Sequence, residues 1–589
     1  MKVLVFAPHG ATWIHAFPEA LFAQALKGRG HEIIYVTCDR QFSAYCVPMI
    51  SSGLQPDAPA ARRDGVCATC QARSGLISRE FGFREVPIGS AIDGADEQAI
   101  ADTMARAAQG EPGDVEALGI PVGKFALYQL LLRRKKNALD FTPEEKQEYL
   151  LHLRATLRAA YATRTLLARE RPDRVVMYNG LYSVNAACRT LAEAAGMPAY
   201  FLHAGGNLSR RLQTLMAGRE HTFRFYPALL TQWPRFAGRP ARADHLGMVT
   251  DHFVELLQAR SAFVYSRGKS VHGFSLREHF KVPDGSKVLV ATLSSPDEEF
   301  AAEVVGARVH ATAPMFPRQA DWIRALCAFV AGRPDLFMIV RVHPREFPNR
   351  RESVMSEHAG ELRAALASLP DNVVVNWPDD GVSIYDLAEE TDVFLNAWSG
   401  VGKEMALMGR PVVTYAKDII FYPPDINYTA DTVQGYLSQI DRALADGWSA
   451  ERIVQGFRWH AVEFGWGLIH VDDGYKQREA APPRSLPARV AGRVARALDP
   501  LSDQKRDIAG RPATLEAAPL IGRLIESGAE TVLHVMTDEE LGNPDPVAER
   551  VGIKAGMRRI MASLYPGMHA GSTPRPGTLR AHLSEFCAG

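Results

Sequence analysis

The sequence predicts an α/β protein made of two Rossmann-like doubly wound domains followed by a C-terminal extension. Three observations predict it. Val3-Leu4-Val5-Phe6-Ala7 is an unbroken apolar run stopped by Pro8-His9-Gly10, as expected for a strand buried on both faces of a parallel sheet. A helical stripe and a second β-rich run follow, completing a strand–helix–strand unit. The same alternation starts again at Lys287, after the turn Pro283-Asp284-Gly285, and a restart implies a second domain.

In the first domain, Phe17, Leu21, Ala25 and Leu26 share one helical face, Gly28 and Gly30 stop that helix, and Glu32–Thr37 is the second strand. Pro, Gly and Ala interrupt every period between about residues 41 and 123, so no elements are assigned there. Thr142, Pro143 and Glu145 form a capping box opening a helix whose face is Leu150, Leu153, Leu157 and Tyr161. Arg174–Met177 and Ala199–Leu202 are strands, with a helix over Asn185–Ala195 between them. In the second domain, strands fall at Lys287–Leu293, Phe337–Val342, Val373–Val375, Val393–Leu395 and Val412–Thr414, with a helical stripe from Trp322 to Val330. The domains are drawn at 1–275 and 276–478. Residues 479–589 form the extension, entered through an Ala-, Pro- and Arg-rich linker over Ala480–Arg489.

Composition narrows the function. Lys+Arg and Asp+Glu number 67 each, so no global field draws in nucleic acid or an anionic surface. The Val3–Ala7 run is too short for a signal peptide's core, no apolar stretch reaches the roughly 20 residues of a membrane helix, and seven scattered cysteines fit a reducing compartment. A cytoplasmic location is expected. Arg133-Arg134-Lys135-Lys136, after three leucines, is either a solvated helix end or a peripheral contact with the inner face of the membrane.

In a parallel sheet, ligands gather beyond the carboxyl ends of the strands. There the second domain places His343-Pro344-Arg345, Ser383, and Asn396-Ala397-Trp398-Ser399-Gly400-Val401-Gly402-Lys403-Glu404. Small residues at Ser399, Gly400 and Gly402 let backbone amides approach an anion, and a helix starting near Val401 presents its positive end to a phosphate. Glu404 in the first turn can accept from ribose hydroxyls. An ordinary capped strand-to-helix turn explains the same residues.

The segments Arg341–Pro344, Ser383–Leu387 and Ser399–Val412 resemble the C-terminal half of GT-B glycosyltransferases, within them the capsular and surface polysaccharide group. The opening strand, Leu26–Glu32, Asn179-Gly180 and His203-Ala204-Gly205-Gly206 are similar to that group's N-terminal half, and the resemblance spans roughly residues 1–445. It implies two Rossmann-like domains facing a central cleft, the nucleotide-sugar donor on the second and a glycan or lipid-linked glycan acceptor on the first, near His203 and Asn179. His203 stands where that group often has an acidic residue. A similar His-Pro pair contacts a cytidine nucleotide in bacterial sialyltransferases, Kdo transferases and CDP-glycerol glycerophosphotransferases, which points to a CMP-type donor.

Glycosyl transfer needs a base for the acceptor hydroxyl and donors for the leaving phosphate. His343, Arg345 and the Ser399–Gly402 amides suit the phosphate. His9 and His15, after the first strand, and Glu298 in Asp297-Glu298-Glu299 are the base candidates, each also explicable as a loop or helix-start residue. No Asp-x-Asp triplet occurs, so neither a metal nor a cofactor beyond the donor is expected. Asp379-Asp380 and Asp472-Asp473 suit turns. Cys67-Ala68-Thr69-Cys70 has zinc-knuckle spacing or could form a disulfide, but zinc requires four ligands and only the distant Cys38 and Cys46 could complete them. The alternatives are a CDP-glycerol-type phosphotransferase, a sugar-nucleotide epimerase, or a non-catalytic glycan-binding component of an assembly.

Overall fold

The computed structural model describes residues 1–259, 263–265, 267–270, 274–309, 314–349, 353–475, 499–566 and 573–589, and their strands form two sheets. The first contains β1 (Lys2–Phe6), β2 (Glu32–Thr37), β3 (Arg84–Pro87), β4 (Arg174–Tyr178), β5 (Ala199–Ala204) and β6 (Thr214–Arg219). The second contains β7 (Lys287–Thr292), β8 (Leu336–Arg341), β9 (Val373–Asn376), β10 (Val393–Asn396) and β11 (Val412–Thr414). A short β12 (Ile469–His470) returns to the first sheet and pairs antiparallel with β6, which is itself antiparallel to β5.

The parallel part of each sheet has the same strand order: β5-β4-β1-β2-β3 in one and β11-β10-β7-β8-β9 in the other. Each half is therefore a doubly wound unit whose order reverses beside its first strand, between β1 and β4 and between β7 and β10. Such reversals open a crevice at the strands' carboxyl ends. The strands read as continuous apolar runs because both faces are covered. Val288 and Val290 point into one core with Phe337, Ile339 and Phe394, while Leu289 and Ala291 point into another with Met338, Val340 and Leu395.

The capping box at Thr142 is formed: Thr142 N donates to Glu145 Oε2 at 2.9 Å and Glu145 N to Thr142 Oγ1 at 3.3 Å, opening the helix Pro143–Glu170. The stretch left unassigned contains β3 and the helices Ala60–Phe81, Gly94–Ala107 and Val122–Arg134. Ala60–Phe81 carries Gly65 and Gly75 inside it, so tertiary packing overrides its weak propensity.

The linker expected over Ala480–Arg489 lies outside the described residues. Beyond it, the extension is part of both cores. Ile521, Leu524 and Ile525 cover the helix Trp13–Gly28, whereas Ile553, Met557, Ile560, Leu579 and Leu583 join the core under β7 and β8.

Candidate active site

The crevice of the second sheet is built by the loops after β7, β8 and β10. Trp398 N donates to Ser294 Oγ at 3.1 Å, and Thr292 Oγ1 donates to Asn396 Oδ1 at 2.7 Å, so the β7 and β10 loops are fixed to one another. His343 begins the β8 loop. Its Nδ1 accepts from the Arg345 amide at 3.2 Å, and burial lowers its pKa from 6.5 to about 4. The neutral ring therefore carries its proton on Nε2 and is a hydrogen-bond donor, which is what an oxyanion requires. Pro344 opens the following single turn, Pro344–Glu346, and fixes the direction of this loop.

Arg345 does a different task from the one its sequence position suggests. Its guanidinium is buried, donating through Nη2 to Asp297 Oδ2 at 2.7 Å and through Nη1 to Tyr265 Oη at 2.8 Å. It holds the loop to the helix Asp297–Val304. The basic stretch Arg133–Lys136 is paired within the protein along its length, with Lys135 and Lys136 buried. Lys135 is 1% exposed and donates through Nζ to Arg345 O at 2.5 Å and Val354 O at 2.7 Å. Lys136 pairs with Glu357, and both Arg133 and Arg134 reach the buried Glu148. Lys135 and Lys136 thus brace the first half against the segment after β8 that bears His343, while Arg133 and Arg134 pair within the first half.

Three further candidates have structural explanations. Ser383 is fully buried; it accepts from the Tyr385 amide at 3.2 Å and donates to Arg267 O at 2.8 Å, so it caps a short helix and is closed to a ligand. Gly402 is small because a β-carbon would lie 2.0 Å from Tyr422 Oη, a packing constraint rather than an approach route for an anion. The amides of Val401 and Gly402 are engaged, by Ser399 Oγ at 3.1 Å and Ser399 O at 3.2 Å. Gly400, by contrast, is open: its nearest neighbour to an added β-carbon is Glu404 Oε1 at 3.8 Å. Glu404 receives the Tyr385 hydroxyl on Oε2 at 2.9 Å, and burial raises its pKa. Its other oxygen faces the Ser399–Gly400 turn.

A cavity of about 500 Å3 opens at this same edge. Pro296, Trp398, Tyr415 and Lys417 line it from the strand ends, and Arg318 and His358 from neighbouring loops. None but Trp398 lay in a sequence segment singled out for binding. Behind the cavity wall, Glu346 accepts from Ser295 Oγ at 2.5 Å and from Ser356 Oγ, residues one and two positions from the lining Pro296 and His358.

At the reversal point of the first sheet three histidines converge. His15 stacks on Tyr178 with ring centroids 4.2 Å apart, His203 lies 5.8 Å from the same ring, and His9 meets Tyr182 edge-on at 5.5 Å. Burial lowers their pKa values to about 3, about 4 and about 4 respectively, partly offset at His9 by the facing Asn185 amide oxygen. All three are neutral imidazoles near pH 7. Asn179 sits beside them in the left-handed region, φ 62°, but its Oδ1 accepts from the Leu181 amide at 3.0 Å, so it shapes the turn. Gly180 follows because a β-carbon would meet Glu220 O at 2.1 Å.

The two crevices approach one another through Tyr128 on the helix Val122–Arg134, which packs against Asp297–Val304. This buried phenol lies within electrostatic reach of Tyr182 on one side and of Glu298 and Arg345 on the other. Of the three adjacent acids, Asp297 binds Arg345 and Glu299 binds Arg308 at 2.8 Å, while Glu298 stays exposed, 3.8 Å from Arg345 Nη1. Asp380 accepts from the Trp377 amide, and Asp473 from the Glu516 amide, both in turns. Among the described residues no three His, Cys, Asp or Glu side chains already stand in a metal-ligating group, and no helix is long and apolar enough to cross a membrane.

No protein family and no curated protein matches this chain by sequence. Solved structures are similar to it at a distance. They include the β-Kdo 2,4-transferase KpsC of Thermosulfurimonas dismutans (13% identity, TM-score 0.31, covering 49% of this chain and 80% of that one). They also include the calicheamicin glycosyltransferase CalG4 (16%, 0.26, 81% and 97%) and the UDP-GlcNAc 2-epimerase of Neisseria meningitidis bound to UDP-GlcNAc (11%, 0.25, 79% and 96%). Likeness at this level assigns no activity; the doubly wound architecture stands on the repeated strand order itself.

Proposed function

We propose that this chain is a glycosyltransferase whose nucleotide-sugar donor binds at the carboxyl edge of the second sheet. The carrying observation is the cavity of about 500 Å3 at that edge, lined by residues that follow β7, β10 and β11 beside the point where the strand order reverses. Trp398 and Tyr415 offer aromatic surface for a base, and Gly400 with Glu404 Oε1 offers room and an acceptor for a ribose. The resemblance of the His-Pro pair favours cytidine in that position. An acceptor glycan would then meet the neutral histidines of the first sheet.

In this scheme the bond between the sugar's anomeric carbon and the phosphate oxygen breaks as the bond to the acceptor oxygen forms. The acceptor proton passes to a neutral imidazole, His9 or His15, or to Glu298. His343 Nε2–H donates to the departing phosphate oxygen. Incubation with CMP-, UDP- and GDP-linked sugars, with and without a glycan acceptor, tests it by mass spectrometry. Nucleotide release that requires the acceptor and falls about a hundredfold in His343→Ala is expected. Transfer of glycerol phosphate, acceptor-independent sugar interconversion, or the absence of both turnover and nucleotide binding would each reject it.

A further inference from the structure

Arg62, Gly65, Thr69 and Arg73 recur at helical spacing on one face of the helix Ala60–Phe81 and line an open pocket of about 390 Å3, which Ala11, Ser52 and Leu54 help to complete. Ala11 belongs to the turn after β1, where Thr12 N donates to His9 O at 2.9 Å, so the pocket shares that turn with His9. We propose that this pocket binds a glycan bearing carboxylate or phosphate groups; that this glycan is the acceptor rests on the glycosyltransferase reading.

The charge in the pocket is positive and unneutralised. No acidic residue lines it among the described residues. Arg62 is exposed and forms no ion pair or hydrogen bond there. Arg73 is half-buried: its Nη1 donates to Ala11 O, while its Nε is enclosed without a hydrogen-bond partner. The other charges of the same turn are taken up within the protein, Arg63 donating to Ala44 O at 3.0 Å and Asp64 pairing with Arg40. A guanidinium left without an acid presents paired N–H donors that match the oxygens of a carboxylate or a phosphate.

Spacing selects an extended ligand. Arg62 and Arg73 stand eleven residues apart, three helical turns and about 16 Å along the axis. They are two separate contacts, which a chain with repeated acids can make together and a single phosphate cannot. Between them Gly65 leaves the face empty, with nothing within 4 Å of an added β-carbon. The Thr69 and Ser52 hydroxyls donate to Gly65 O at 2.9 Å and Pro48 O at 2.8 Å, which leaves their oxygens to accept from sugar hydroxyls. No aromatic ring lines the pocket and Leu54 is its largest apolar side chain, so it offers neither stacking surface for a nucleotide base nor a seat for an acyl chain.

The test is calorimetric titration of the full-length protein at low ionic strength with trigalacturonate, phosphorylated maltotriose, neutral maltotriose and inorganic phosphate. Saturable binding of at least one charged trisaccharide and not of maltotriose is expected, and which of the two binds identifies the acid. Arg62→Ala should weaken it about tenfold, and Arg79→Ala, an exposed arginine of the same helix outside the pocket, should leave it unchanged. Gly65→Leu fills the pocket with a better helix former, so it should unfold no earlier than wild type yet bind at least about tenfold more weakly. No nucleotide is present, so failure here leaves the donor site standing and failure of the donor site leaves this binding standing. The proposal is overturned if neither charged trisaccharide binds, if maltotriose or inorganic phosphate binds as tightly, if Arg79→Ala weakens binding as much as Arg62→Ala, or if Arg62→Ala and Gly65→Leu both bind like wild type.

Discussion

Gly402→Ala distinguishes packing from anion binding by its sign. Gly402 is the second residue of the helix Val401–Leu407, where alanine in open space would stabilise by about 0.5–1 kcal/mol. Here the β-carbon would fall 2.0 Å from Tyr422 Oη and 2.7 Å from Asn396 Nδ2. Tyr422 is 1% exposed and cannot swing away, and it accepts from Asn396 Nδ2 at 2.8 Å. Overpacking costs about 1–3 kcal/mol and a lost buried hydrogen bond about 1 kcal/mol more. Set against the helix gain, the net loss is about 1–3 kcal/mol. Urea unfolding of Gly402→Ala, Tyr422→Phe and the double variant measures it. Removing the tyrosine hydroxyl should lower the cost of the added methyl by about 1 kcal/mol, a coupling expected only between touching groups. A Gly402→Ala protein as stable as wild type but weaker in nucleotide binding would refute the packing argument and restore an anion-approach role.

Lys135→Met removes two charge-assisted hydrogen bonds to Arg345 O and Val354 O and should destabilise by about 3 kcal/mol in denaturant unfolding; a surface lysine would give no measurable change. Asp297→Asn leaves the buried Arg345 without its carboxylate and should destabilise by about 3–5 kcal/mol, read the same way. Acid should unfold the protein early. Burial lowers His9, His203 and His343 to about 4 and His15 to about 3, so between those values and 6.5 the unfolded chain binds more protons. That stability is complete above about pH 6.5 and lost as the pH falls toward 4, up to about 3 kcal/mol for the fully buried His9. Glu19, Glu346 and Glu404, whose values burial raises, act in the opposite direction but are fewer. Urea midpoints at pH 7 and 5 check it; an unchanged or higher midpoint at pH 5 would contradict it.

The central strands were legible because they are buried on both faces, which leaves unbroken apolar runs such as Val288–Ala291 between polar turn residues, whereas the mostly exposed β3 and the antiparallel β6 and β12 carry no such run. The helices between about residues 41 and 123 were not, because Ala60–Phe81 contains internal glycines and packs by contacts distant in the chain. Of the site, residues following strands could be placed from spacing, as with His343 and His9. What those residues touch could not: Arg345 is neutralised by an aspartate 48 positions away, and Lys135 reaches a carbonyl 210 positions away. Tyr415, Lys417 and Arg318 come together only through the order of the strands, and nothing local marks them. The spacing of Cys67 and Cys70 was visible, whereas their meeting with Cys38 and Cys46 depended on β2 lying beside that helix.

Hydrogen–deuterium exchange with and without saturating CMP, CDP, UDP or GDP tests the placement of the donor most directly. Protection by at least one nucleotide confined to 294–300, 343–347, 396–404 and 415–419, and lost in His343→Ala, is the expected result. Protection confined to the loops of the first sheet, or none with any of the four nucleotides, would contradict it.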